Sequence, residues 1–231
     1  GASSQANIDV TFCGDANSAE SLDTALKAAG TQVTFNLPAP TTFAEFIEAY
    51  TLDLTASTNA DIQLGTYAAA YCLDQEQAIN YTTVTTASVC VLTEANLAAV
   101  APTVDASNFD SINWLLNFDQ TLVDNGDGTG DTYTDYEVQE AIWLLMNGET
   151  NFLNQFNIPE LADNNNGVRD GIEIGTLENI EEIAINAINQ GDGFVAGDSD
   201  VIGLILDPIS PAEQDQPFVI GVNFNDVDCI C

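Results

Sequence analysis

Apolar side chains recur at every second position over much of the first ninety residues. "NIDVTFC" (7–13) and "TQVTFNL" (31–37) alternate at period two and predict half-buried strands. Between them, "SAESLDTALKAAG" (18–30) has helical spacing, with Ser18 as N-cap and Gly30 as stop. "YTLDLTAS" (50–57), "GTYAAAYCL" (65–73) and "YTTVTTASVCVL" (81–92) read as further strands. The Ala-rich run in the second of these also fits a helix. From residue 93 the period changes. "TEANLAAVA", "NFDSINWLLNF", "TDYEVQEAIWLLMNG" and "TLENIEEIAINAINQG" have helical spacing. The third opens with a capping box, Thr134 followed by Glu137, and stops at Gly148. The fourth runs from a Thr176 cap to Gly191. "VIGLIL" and "PFVIGVNF" then return to β. The pattern predicts one α+β domain over 1–231. An antiparallel β sandwich or barrel-like part (1–92 and 195–231) carries an inserted helical subdomain (93–194).

Charge narrows the partners. The chain has 36 acidic residues against Lys27 and Arg169, a net charge of −34. Such a surface repels nucleic acid and anionic membranes, and neither is expected as a partner. It also repels itself, so salt should favour the compact state. No apolar run is long enough to span a bilayer. Histidine is absent, which removes Ser-His-Asp and Cys-His catalysis and His-ligated metal within the chain. A secreted hydrolase using two carboxylates stays open, but 36 acidic residues do not single out a pair.

The five cysteines are Cys13, Cys72, Cys90, Cys229 and Cys231, with no C-x-x-C pair. An odd count allows two bridges and one remaining thiol. Cys229 and Cys231 share a face of the closing strand, so each is expected to bridge elsewhere. Cys13, Cys90, Cys229 and Cys231 are the expected bridged set, and Cys72 the remainder. Cys72 as an inert buried thiol, or bridged to Cys90, is the plainer alternative.

On the third helix, Gln139 has Ile142, Trp143 and Met146 at i+3, i+4 and i+7. An amide so placed is a hydrogen-bonded core group or a reacting one. Here the order of segments matters. "AYCLD" (70–74), "INWLLN" (112–117) and "VQEAIW" (138–143) together resemble the thioester domains of bacterial surface adhesins. One departure is Val138, where that family commonly has Thr. The resemblance implies a Cys72 thiol joined to the Gln139 side chain in an internal thioester, with Tyr71, Trp114 and Trp143 as supporting residues. It implies an extracellular, surface-displayed domain that reacts once with an amine or hydroxyl on a target protein or glycan. Such a domain is a covalent binder and not an enzyme. The chemistry is sound: a thiol attacks a carboxamide carbon, ammonia leaves, and the activated acyl group is kept from water by apolar neighbours. Lys27 is the only lysine, which suits a chain carrying an amine-reactive group. Gln75 offers a rival Cys-x-x-Gln ring, but "CLDQ" lacks the glycine that eases a tight closure.

No cofactor is required, and calcium is the one candidate. In "ADNNNGVRDGIE", Asn164, Asn166, Asp170 and Glu173 fall at positions three, five, nine and twelve of a calcium loop, with Ala162 wrong at position one. "DNGDGTGD" (124–131) is similar. Ordinary Asn/Gly turns explain both segments slightly better. The alternative function is therefore a calcium-stabilised structural or ligand-binding module with no covalent chemistry.

Overall fold

In the computed structural model, the described residues are 19–39, 50–60, 62–74, 77, 79–81, 84–118, 133–156, 168–169, 172–173, 177–196, 200–210 and 216–223. The expected strand at 7–13, the caps Ser18 and Thr176, Gln75, Asn164, Asn166, Asp170, Cys13, Cys229 and Cys231 lie outside them.

Helix α1 (Ala19–Ala28) ends as its sequence predicts. Gly30 takes φ +58°, Gly30 N–H donates to the Lys27 carbonyl and Thr31 N–H to that of Leu26. That is a Schellman cap, which needs a residue free to turn left-handed. The strands β1 (Gln32–Asn36), β2 (Tyr50–Ser57), β3 (Gly65–Cys72), β4 (Val84–Val91), β7 (Val201–Ser210) and β8 (Phe218–Asn223) close into a barrel in the order β1-β2-β3-β8-β7-β4, every pair antiparallel. The Ala-rich β3 is a strand because it is hydrogen-bonded to β2 on one side and β8 on the other, and pairing outweighs the helical preference of alanine. A two-residue pairing, β5 (Val168–Arg169) with β6 (Ile172–Glu173), lies apart.

Between β4 and β7 come α2 (Glu94–Val100), α3 (Phe109–Leu116), α4 (Asp135–Phe156) and α5 (Leu177–Gly191). Gly148, expected to end α4, instead breaks it at φ +71°, and helix resumes beyond. Two cores result. One fills the barrel with Phe35, Leu52, Tyr67, Cys72, Val89, Leu204 and Phe218. The other lies between barrel and helices, where Tyr71, Leu73, Ile205 and Val219 meet Ile112, Val138, Ile142 and Ile180. Residues 202–206 of β7 are buried without alternation because both faces of that strand are covered.

Side-chain amides dock α3. Asn117 Nδ2 donates to the Val201 carbonyl (2.9 Å) and its Oδ1 accepts from Val201 N–H (2.6 Å). Asn113 donates to the Leu92 carbonyl (3.2 Å) and accepts from Gly203 N–H (3.0 Å). Gly203 allows this approach, since a Cβ there would lie 2.9 Å from Asn113 Oδ1 and from Leu92 Cβ. The two asparagines of "INWLLN" thus join helix to barrel.

Candidate functional site

At the end of β3 the described pairing with β2 stops short of Cys72. Leu73 N–H donates to the Pro217 carbonyl on the β8 side (2.9 Å). Because successive peptide groups alternate along a strand, the N–H and C=O of Cys72 point the other way, towards β2. The described pairing with β2 reaches only Tyr50 opposite Ala70. The Gln139 carboxamide occupies the next position. Cys72 N–H donates to Gln139 Oε1 at 2.7 Å, and Gln139 Nε2 donates to the Cys72 carbonyl at 3.0 Å. These two bonds fix the amide orientation, since its oxygen must meet the N–H and its nitrogen the C=O.

Local chemistry delivers Gln139 to that place. The capping box forms: Glu137 N–H donates to Thr134 Oγ1 (3.2 Å), and Thr134 N–H to Glu137 Oε2 (2.8 Å). Asn179 of α5 donates to the other Glu137 oxygen at 2.7 Å. The first turn of α4 is therefore pinned to its own cap and to α5, two residues before Gln139. Gln139 is 5% exposed and Cys72 fully buried.

The Cys72 side chain belongs to the barrel core, with its register partner Phe218. The Tyr50 hydroxyl is hydrogen-bonded to the Cys72 sulfur and to the Tyr81 hydroxyl. The Tyr50 ring lies 6.5 Å from that of Tyr81 and 5.9 Å from that of Phe218. Burial pushes the Cys72 thiol well above its usual range, and the Tyr50 hydrogen bond pulls the other way. Burial also raises both phenols, with the neighbouring Cys72 charge adding to the rise. Sulfur and phenols are accordingly protonated at neutral pH. Glu140, next to Gln139, is 1% exposed, and burial pushes it up to about 8 against a hydrogen bond with Tyr136.

Trp143, one turn beyond Gln139, touches both cores and helps cover the site. Tyr71 is buried on the opposite face of β3, in the barrel–helix layer, as alternation requires. Trp114 stands elsewhere: it packs on Phe118 (ring centroids 5.2 Å apart) and beneath Gly191, where a Cβ would meet the Trp114 Cβ at 2.9 Å. Its described contacts hold α3 to α5. Asp74 is buried, with the Thr103 hydroxyl 3.4 Å away. Tyr50 and Tyr81 were missed by sequence reasoning; for Tyr50 the signal was the inward register of "YTLDLTAS".

Cys90 is half-buried and forms no disulfide with another described residue, Cys72 included; its expected partners Cys13, Cys229 and Cys231 lie outside the described residues. Val89 and Val91 turn into the barrel, so Cys90 faces outward under α1. Burial, then the charge of Asp23, pushes it up to about 12. Of the expected calcium ligands only Glu173 has a described backbone, on β6. Among the described residues no three His, Cys, Asp or Glu side chains gather to hold a metal.

No family model matches the chain, and no curated protein matches it. Solved structures do. The chain is similar to the N-terminal thioester domain of the fibronectin-binding protein SfbI from Streptococcus pyogenes, with a TM-score of 0.51 and 11% identity over 94% of this chain and 99% of that one. It is similar to the N-terminal domain of the Streptococcus pyogenes pilus tip adhesin Cpa, with a TM-score of 0.52 and 10% identity over 94% and 100%. The shared property is the fold: an antiparallel barrel carrying a helical block.

Proposed function

We propose that the chain is a covalent adhesion domain, displayed outside the cell, in which Cys72 and Gln139 form an internal thioester. The observation that carries this reading is the Gln139 amide, held by two hydrogen bonds on the backbone of a buried cysteine. Formation is a once-only exchange. The Cys72 sulfur attacks Gln139 Cδ, the carbon–nitrogen bond breaks, and the thiol proton leaves with the nitrogen as ammonia. Cys72 N–H, 2.7 Å from Oε1, stands ready for the negative charge that develops on that oxygen. Burial then shields the acyl group from water.

Discharge uses the same atoms. An amine or hydroxyl of the target attacks Gln139 Cδ and loses a proton to solvent. The carbon–sulfur bond breaks, and the departing sulfur takes a proton from Tyr50. Tyr50 regains one from Tyr81, to which it is hydrogen-bonded, and half-buried Tyr81 is reprotonated by the proton that the target released to solvent. The target ends bonded to Gln139 and Cys72 ends as a thiol. The site is spent after one event, so the protein is a stoichiometric binder of a surface protein or glycan. Methylamine tests this: the untreated chain should weigh one ammonia less for the thioester, and treatment should add one methylamine at Gln139 and free one thiol.

A second reading has its own observation. Asn117 makes the same two-bond clasp on Val201, whose own side chain carries no nucleophile. Gln139 would then be a clasp that ties α4 to the end of β3 and no more. Unchanged mass and no methylamine uptake would select it.

A further inference from the structure

A second carboxamide is set against a second nucleophile, far from Gln139. Asp23 and Lys27 lie one turn apart on α1, which packs on β4, and Asn96 is in the first turn of α2. Lys27 Nζ donates to Asn96 Oδ1 at 2.5 Å. Asn96 Cγ is one C=O bond beyond that oxygen, so the amine stands within about 3.7 Å of it. That is close to the separation from which addition to a carbonyl proceeds. Asp23 touches both nitrogens. Its Oδ2 is 2.7 Å from Lys27 Nζ, and its Oδ1 accepts from Asn96 Nδ2 at 2.8 Å.

The three groups are held from outside as well. Asp23 Oδ1 also accepts from Val91 N–H (3.1 Å), and Asn96 Nδ2 donates to the Val91 carbonyl (2.7 Å). The last residue of β4 thus orients both the carboxylate and the amide. Asn96 is 5% exposed, while Lys27 is half exposed beside a cleft of about 390 Å³ lined by Lys27, Cys90, Asn96 and Ala99. The carbonyl carbon is sheltered, and ammonia has a way out.

We propose that Lys27 and Asn96 are joined by an intramolecular amide bond, with Asp23 the catalytic residue that carries the proton between the two nitrogens. The Lys27 ammonium gives a proton to Asp23 Oδ2. The neutral Nζ attacks Asn96 Cγ and a carbon–nitrogen bond forms. Asp23 hands its proton to Nδ2 and takes a second from Nζ, the Cγ–Nδ2 bond breaks, and ammonia leaves carrying that proton as ammonium. Atoms and charge balance, and no oxidant or cofactor is needed. The product ties α1 to α2 across 69 positions of sequence. It also consumes the only side-chain amine in the chain, which the acyl group at Gln139 would otherwise meet.

Trypsin reads this directly, because Lys27 and Arg169 are the only basic residues. Protein treated with methylamine, denatured, reduced and alkylated should be cut after Arg169 and not after Lys27. Its mass should fall one ammonia below that of the methylamine adduct alone. Release of the free peptide 1–27, with no such deficit, would overturn the proposal. Asp23→Ala should leave Lys27 unlinked and restore the cut, while methylamine uptake at Gln139 continues and reports a folded domain. A link that persists in Asp23→Ala would overturn the role of Asp23. Failure of methylamine uptake with Lys27 still uncut would instead count against the thioester alone.

Discussion

Two corners of this molecule hold a carboxamide against a nucleophile, and they differ in the nucleophile and in its cover. At the end of β3, Gln139 is hydrogen-bonded to the backbone of a cysteine whose thiol is fully buried. Under α1 a half-exposed amine meets Asn96. Acyl transfer to sulfur leaves an activated bond that must be kept dry, whereas transfer to nitrogen leaves an ordinary amide that needs no protection. The proton groups follow the same division. Tyr50, hydrogen-bonded to the sulfur and to Tyr81, is placed to return a proton to departing sulfur. Asp23, bound to both nitrogens, is suited to a transfer that runs once. Asn117 is the control, with an amide clasped in the same way on a valine in place of a cysteine. The clasp orients an amide; the neighbour decides whether it reacts.

The largest effect should come from removing either partner at the buried corner. Cys72→Ala and Gln139→Ala should each abolish methylamine uptake, while Asn117→Ala keeps it and loses about 1–3 kcal/mol of stability. Gln75→Ala should also keep it. Uptake in these variants, followed by mass spectrometry, separates the buried pair from the local ring.

At the other corner, Lys27→Arg keeps the charge and cannot form the amide. Losing a link that closes 69 positions should lower stability by about 4 kcal/mol on a chain-entropy argument. Denaturant unfolding measures this, and uptake at Gln139 should be unaffected.

Glu140 sharpens the contrast between the two carboxyl environments. Burial pushes it up to about 8, from an ordinary 4.5 in the unfolded chain. Between those values the folded state keeps a proton that the unfolded state has lost, so stability falls as pH rises through that window. Glu140→Gln should be more stable than the parent at pH 8 by about 4 kcal/mol and level with it at pH 4. Unfolding of both proteins across pH gives the comparison. The smallest effect is general: sodium chloride should raise the melting temperature by a few degrees, because it screens a net charge of −34.

Local features were legible in the sequence. "YTLDLTAS" is β2 residue for residue, and the Thr134–Glu137 box forms as its spacing predicts. Cys72 and Gln139 were found by a resemblance among separated segments and are adjacent in space. What was not legible depends on pairing over distance. Closure of β1 onto β4 brings residues near 33 and 87 together, and no period in either strand encodes that choice. Gly148 was read as a stop, but its backbone freedom gives a break instead. The Asp23–Lys27–Asn96 cluster joins two helices across a strand end, so only the folded chain reveals it. Trp114 was expected to support the reacting pair because its segment belongs to the resemblance; its described contacts are with the helices.

The central claim is the bond between Cys72 and Gln139, and intact mass of the unmodified protein before and after methylamine tests it most directly. The account predicts a deficit of two ammonia molecules beyond any disulfides. Methylamine should replace one of these by a single adduct at Gln139, with one new thiol at Cys72. A deficit that methylamine leaves untouched, with Cys72 alkylated as a free thiol from the start, would contradict it.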